Sequence, residues 1–308
     1  MVGLIDIIDV GLFAAAVRMA TPIASAAIGG IFSERAGIIN IGLEGMMLTG
    51  AFAGVVASDF TGSAWIGVLA AILAGGLLGL LHAFLTVQFL VDQVVSGTGI
   101  NILALGFTAY MSQVLWGSRG GSDIVNGLDV VSIPLLKDIP ILGAIIGSHT
   151  PLVYLTIVII GLSYIVLFKT PMGLRIRAVG EHPAAADTAG INVYRTKYLC
   201  VIISGMLAGF GGAFLSLGHL NVFVLGMTGG RGFIALAAMI FGQWMPFGAF
   251  GASLLFGFAD ALQMRLQALG LLPPQIILMV PYVLTIVVLA GVVRKTHPPS
   301  NYKPYVKE

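Results

Sequence analysis

Polar side chains set inside apolar runs are where this chain could do chemistry, and they are few. Glu44 and Asp260 are acids within hydrophobic stretches. A carboxylate in hydrocarbon is costly, so each marks an ion or proton site, a water-lined path or a buried pairing. For Glu44 the structural partners on offer are Arg35 and Arg18. Asp260 lies five residues before Arg265, a poor helical spacing for a pair, so it faces a cavity or bonds a neighbouring helix. Asn40, Gln93, Thr98 and Asn101 can hydrogen-bond a polar solute, and residues of the same types also join helices. His82 and His219 lack metal-ligand spacing. Cys200, the only cysteine, excludes an internal disulfide and a multi-cysteine metal site. The chain has no HExxH, no G-x-S-x-G elbow and no GxxxxGK[ST] loop. Covalent chemistry of those kinds and P-loop ATP binding are therefore excluded, and any ATP-derived energy must enter through another subunit.

The elements that hold these residues are set by composition. The chain has 308 residues, of which 58% are hydrophobic and 9% charged, with 42 glycines and a mean hydropathy of +1.02. This describes an all-α polytopic membrane protein. The formal net charge of +2 is too small to suggest nucleic acid, and the cations sit at membrane edges. A spanning helix needs roughly 20 apolar residues. Spans are expected at 10–31, 37–57, 63–90, 95–116, 150–168, 197–218, 231–244, 247–267 and 274–293, so about eight to nine helices. The first ten residues lack the positive start of a cleaved signal peptide, so the first span is expected to remain.

Residues 169–197 hold seven of the 28 charged residues between two apolar runs, which marks a cytoplasmic loop. The tail 294–308 carries Arg294, Lys295, Lys303 and Lys307 and belongs on the same side by the same rule. An even number of crossings must separate them. Residues 231–244 make only about 21 Å of helix, against a hydrocarbon core of roughly 30 Å; parity requires them to cross, with the preceding HLNVFVLGMTGGRG as a broken half. Counting back puts Met1 outside, turns at 32–37 and 91–94 inside, and a long external loop at 117–148. Arg265 then falls near the outer face, where the rule disfavours it.

Two stretches break the apolar pattern. In FSERAGIINIGLEGMM (32–47), Asn40, Gly42, Glu44 and Gly45 interrupt the run; residues 227–232 do so in the second half. Irregular backbone at membrane depth needs protein or water around it. Paired interruptions point to a pseudo-repeat with broken or half helices around a central pathway. Small-xxx-small spacings at Gly205–Gly209 and Ala208–Gly212 favour close helix packing. In the charged loop, Pro183 presets a first helical turn, Ala184, Ala185 and Ala186 favour helix, and Gly190 is a natural stop. The result is a short solvated helix, either a docking knob or a plain connector.

Three segments carry a family resemblance: 20–52 (ATPIASAAIGGIFSERAGIINIGLEGMMLTGAF), 173–197 (GLRIRAVGEHPAAADTAGINVYRTK) and 226–242 (GMTGGRGFIALAAMIFG). They resemble the permease subunits of bacterial ATP-binding-cassette importers, within them the branched-chain amino acid and simple-sugar superfamily, and its nucleoside-uptake branch in particular. The likeness runs from about residue 10 to 293. The loop pattern Gly180, Pro183, Ala185, Ala186, Gly190 and Ile191 is shared across the superfamily; FSERAGIINIGLEGM is the element closer to nucleoside permeases. The resemblance implies one transmembrane permease domain over 1–308, in a bacterial plasma membrane with the C-terminus cytoplasmic. It implies that the helix at 181–190 couples to a separate ATPase subunit, with Arg175 and Arg177 at its edge and Glu181, His182, Pro183, Ala185, Ala186, Asp187 and Gly190 forming it. Further implied partners are a second, non-identical permease, of which this chain resembles the smaller, and an extracytoplasmic substrate-binding lipoprotein. Transport would be by alternating access, without a cofactor. Asn40, Glu44, Gln93, Thr98, Asn101 and Phe223 are the expected pathway residues. The alternatives are a permease for simple sugars or another small polar solute and an ion-coupled secondary transporter using Glu44 or Asp260.

Overall fold

The computed structural model describes residues 9–118, 120–133 and 142–269, together with 273–277, 279, 283, 286 and 305. Helices α1 (Val10–Arg35), α2 (Leu43–Thr61), α3 (Ala64–Ala83) and α4 (Gln93–Trp116) follow one another. A small segment comes next, with strands β1 (Val131–Ser132) and β2 (Ser148–His149) on either side of helix α5 (Leu142–Ile146). Helices α6 (Pro151–Lys169), α7 (Pro171–Glu181), α8 (Pro183–Thr188), α9 (Val193–Ala213), α10 (Arg231–Phe241), α11 (Pro246–Leu269) and α12 (Pro274–Ile277) complete the order. α3 and α9 run on through π-helical turns at Phe84–Gln88 and Phe214–Leu220.

Among the described residues, six helices are long and apolar enough to cross a membrane: Val10–Arg35, Ala64–Gln88, Gln93–Trp116, Pro151–Lys169, Val193–Leu220 and Pro246–Leu269. This is a multi-pass membrane protein. Two further expected spans are shorter or more polar. α2 carries Glu44 and Asp59 in its 19 residues, and α10 has only 11. The ninth, 274–293, and the tail 294–308 lie almost wholly outside the described residues. α3 turns a purely apolar stripe outward, with Leu69, Leu73, Leu77 and Leu80 all exposed, as a lipid-facing helix should.

α9 is the hub, packed against α1, α2 and α3. The small-residue spacing read from the sequence sits at these contacts. A Cβ on Gly205 would lie 2.2 Å from the Gly75 carbonyl oxygen, one on Gly209 2.3 Å from that of Ala71, and one on Gly212 2.0 Å from that of Met47. The obstacles are backbone, so nothing can yield by changing a rotamer. Gly75→Val is therefore expected to separate α3 from α9 and remove most folded protein from the membrane. Fluorescence-detected size-exclusion of the solubilised chain would measure this, and a wild-type monodisperse peak would contradict the packing.

Arg265, near the C-terminal end of α11, has a partner of opposite charge. Its guanidinium binds Asp9 at 2.5 and 2.7 Å, while Asp9 also caps α1 by accepting from the Leu12 N–H at 2.8 Å. The Arg265 hydrogen bonds hold the Asp9 carboxyl well below the usual carboxylate range.

Candidate functional site

The two interruptions found in the sequence touch each other. The chain leaves α1 at Arg35, runs non-helically through 36–42 and starts α2 at Leu43. Glu44 in the first turn of α2 reaches across to the start of α10. Its Oε1 accepts from the Gly230 N–H at 2.8 Å and its Oε2 from the Gly232 N–H at 2.6 Å. The carboxylate thus satisfies donors that a helix start leaves without partners, and it complements the positive end of the dipole. Neither Arg35 nor Arg18, the partners suggested by the sequence, takes this role. Gly232 is glycine for a matching reason: a Cβ there would fall 2.5 Å from the Glu44 Cα.

The irregular stretch 36–42 is held by side chains. Ser33 Oγ donates to the Ile38 carbonyl at 2.6 Å, the Ile39 N–H donates to Gln93 Oε1 at 2.7 Å, and His82 Nε2 meets the Ile39 carbonyl at 3.0 Å. Asn101 binds on both sides of the break. Its Nδ2 donates to the Ile41 carbonyl at 3.0 Å and its Oδ1 accepts from the Gly45 N–H at 2.7 Å. Asn40 is fully buried and donates to Ser204 Oγ on α9 at 2.9 Å. Backbone groups at membrane depth need such partners. Asn40, Glu44, Gln93 and Asn101 are therefore gathered around one broken segment, and all four bond to protein. His82 is fully buried with both ring nitrogens engaged, the second on Ser96 Oγ at 2.9 Å.

Thr98 and Phe223 lie apart from this group. Thr98 is exposed on α4 and donates to the Val94 carbonyl one turn back. Phe223 is fully buried, edge-on to Phe52 with ring centroids 5.2 Å apart. It belongs to the second interruption, whose first half pairs with the loop after α4. Ser122 N–H donates to the Phe223 carbonyl at 3.0 Å, Leu225 N–H to that of Gly120 at 3.0 Å, and Val125 N–H to that of Asn221 at 2.9 Å. The loop after α4 thus caps the broken element, a pairing that the sequence did not announce.

Asp260 resolves to the neighbouring-helix alternative: its Oδ2 meets Arg231 Nη2 at 3.3 Å, joining α11 to the first residue of α10. At its other end α10 turns through Gln243 and Trp244, both in left-handed backbone (φ 54° and 53°). Trp244 Nε1 donates to Glu34 Oε2 at 2.6 Å, and Arg35 Nη2 donates to the Trp244 carbonyl at 3.1 Å. The path from the end of α1 through 36–42, Glu44 and α10 to Trp244 therefore closes on itself.

The charged loop sits at the base of this ring. The short helix is α8, with Pro183 at its first position and Gly190 at φ +80°, a conformation only glycine adopts without strain. The Ile191 N–H closes it on the Ala186 carbonyl at 3.0 Å. Pro183 and Ala186 face inward, Ala186 beside Val179 and Val193, while Glu181, His182, Ala184, Ala185 and Gly190 are exposed and Asp187 is half-buried. α7 seats the knob. A Cβ on Gly180 would lie 2.1 Å from the Arg35 carbonyl oxygen, and both Arg35 and Arg177 lie over the Phe168 ring, at 5.5 and 5.2 Å. Arg175 is exposed. The Tyr305 ring, from the C-terminal tail, packs 5.7 Å from that of Tyr194 at the same end of the molecule.

Fold and site together define a multi-pass membrane protein built around two broken elements in mutual contact. The family model described as "Branched-chain amino acid transport system / permease component" matches residues 12–289, and the chain belongs to this family. The guanosine ABC transporter permease protein NupQ of Bacillus subtilis is 45% identical over 94% of each chain. The nucleoside ABC transporter permease protein NupC of Lactococcus lactis is 42% identical over 88% of each. The putative glucose ABC transporter permease protein TsgC13 of Haloferax volcanii is 37% identical over 93% of this chain and 92% of the relative. No solved structure matches the chain significantly.

Proposed function

We propose that this chain, as a single permease domain, is one of two permease subunits of an ATP-driven nucleoside importer of the plasma membrane. The other subunits are a second, non-identical permease, an ATPase and an extracytoplasmic binding lipoprotein. The observation that carries the reading is whole-length similarity to permeases named for guanosine and nucleosides. Residues 169–197 and the tail face the cytoplasm, and the 117–148 loop faces outward. In this reading α8 is the ATPase contact, with Arg175 and Arg177 flanking it. Its displacement passes through α7 to the end of α1, and from there both to the 36–42 break and, through Trp244, to α10. Asn40, Glu44, Gln93 and Asn101 shape the wall of the pathway by holding its broken backbone, and Phe223 closes the outer half.

The test is uptake of labelled guanosine into cells or vesicles carrying the full set of subunits. Uptake that unlabelled nucleosides abolish and glucose does not is the expected result. Competition by glucose alone would favour the second reading, a sugar permease, which the Haloferax relative supports. Ala185 supplies a separate test of coupling because it is exposed and helical, so Ala185→Glu leaves the fold intact. It is expected to lower uptake at least tenfold and to weaken co-purification of the ATPase at unchanged permease levels. Normal uptake by this variant would return α8 to the role of a plain connector.

A further inference from the structure

We propose that the groove between α1 and α11 is a water-filled subsite for the transported solute, holding an uncharged molecule with hydrogen-bond acceptors against Arg18. The inference rests on the transport reading above and specifies where this chain meets its cargo. The groove is open and holds about 320 Å³, with Leu12, Ala15, Met19 and Met264 as apolar walls and Arg18, His219 and the Asp9-paired Arg265 as polar groups. Arg18 lies about 12 Å along α1 from its first residue, at a depth where a guanidinium facing lipid is strongly disfavoured.

The nearby acids are occupied. Asp260 pairs with Arg231 at 3.3 Å and Asp9 with Arg265, and among the described residues no acid pairs with Arg18. The titratable groups within reach of its charge, His219 and His149, bring no negative charge. The groove therefore keeps one uncompensated cation beside apolar walls, unlike the exposed leucine stripe of α3. A guanidinium presents a fork of N–H donors and no acceptor. Its complement is a small molecule with adjacent acceptor atoms and an apolar face for the methionines. A carbonyl-bearing nucleobase has both, and the volume suits a solute of that size.

The test uses single cysteines in the complete importer. Cys200 is fully buried and so gives little background. Ala15→Cys and Met264→Cys are expected to react with a membrane-impermeant, charged thiosulfonate at least tenfold faster than Leu77→Cys on the apolar stripe. Guanosine presented with the binding protein should slow both at least threefold, and Arg18→Gln should abolish that protection while both cysteines still react at least tenfold faster than Leu77→Cys. Rates equal to that of Leu77→Cys would overturn the proposal, as would protection that persists in Arg18→Gln or that only guanosine monophosphate gives. If guanosine is taken up without protection, the subsite fails and the importer reading stands. If wild type takes up no nucleoside but glucose protects both cysteines, the nucleoside reading fails and the subsite stands.

Discussion

Replacing Glu44 with alanine is expected to abolish uptake and to lower the thermal stability of the solubilised protein. The Gly230 and Gly232 N–H groups would lose their acceptor, and hydrogen bonds to a charged group contribute about 1.5–3 kcal/mol each. Water is poorly placed to substitute, because the Glu44 backbone lies directly against Gly232. The expected loss is about 3 kcal/mol, a large share of the stability of most domains. Glu44→Gln keeps one acceptor oxygen but turns an amide NH2 towards the second donor, so it should fall between wild type and alanine. The order wild type, glutamine, alanine in a thermal-shift series on solubilised protein, with uptake falling in the same order, identifies Glu44 as the cap of α10. If Glu44 were an ion site instead, glutamine would retain wild-type stability and abolish the dependence of uptake on an ion gradient. A wild-type melting curve for alanine would contradict the cap outright.

The interaction just described shows where sequence reading reached its limit. The short helix of the charged loop was legible because its signals are local: Pro183 opens it, three alanines follow and Gly190 stops it, and the observed α8 spans Pro183–Thr188. Both interruptions were legible as well, since glycine and polar residues inside an apolar run need an internal setting. Their meeting was not. Glu44 and its acceptor-seeking partners are 186 and 188 residues apart, and a backbone N–H leaves no mark in the sequence. Arg35 and Arg18 looked like partners because charge suggests charge, yet Arg35 binds the Trp244 carbonyl. For the same reason Asn40, Gln93 and Asn101 read as available donors and acceptors, although their sequence positions could not show that Gln93 and Asn101 would bond the 36–42 backbone and that Asn40, within it, would donate to Ser204. The pairing of residues 120–125 with 221–225 was hidden for a different reason. Irregular backbone has no periodicity, so neither segment announced a strand-like partner. The short span was legible too: α10 is a helix of 11 residues preceded by the non-helical stretch 221–230.

Asp260→Ala should be the second damaging change, for a reason that a compensating substitution can isolate. The Arg231 and Asp260 side chains are only 16% and 14% exposed, and Arg231 Nε is buried without a hydrogen-bond partner. The Asp260 carboxylate is thus the charge that offsets this guanidinium. Removing one member of a buried pair costs about 3–5 kcal/mol, because the other is left charged and unpaired, whereas replacing both with apolar residues of similar volume is often close to neutral. Asp260→Ala is therefore expected to reduce folded protein in the membrane severalfold, and Arg231→Met combined with Asp260→Leu to recover most of it. The recovered double variant then separates structure from transport. Arg231 Nη1 also contacts the Met227 and Thr228 carbonyls, at 3.4 and 3.3 Å, so the pair braces the turn through which the chain enters α10. Folded double variant with uptake reduced at least tenfold would show that this bracing serves the moving pathway beyond its contribution to stability. Folded protein with full uptake would confine the pair to holding α10 against α11, and a fully stable Asp260→Ala would show that Arg231 does not depend on it.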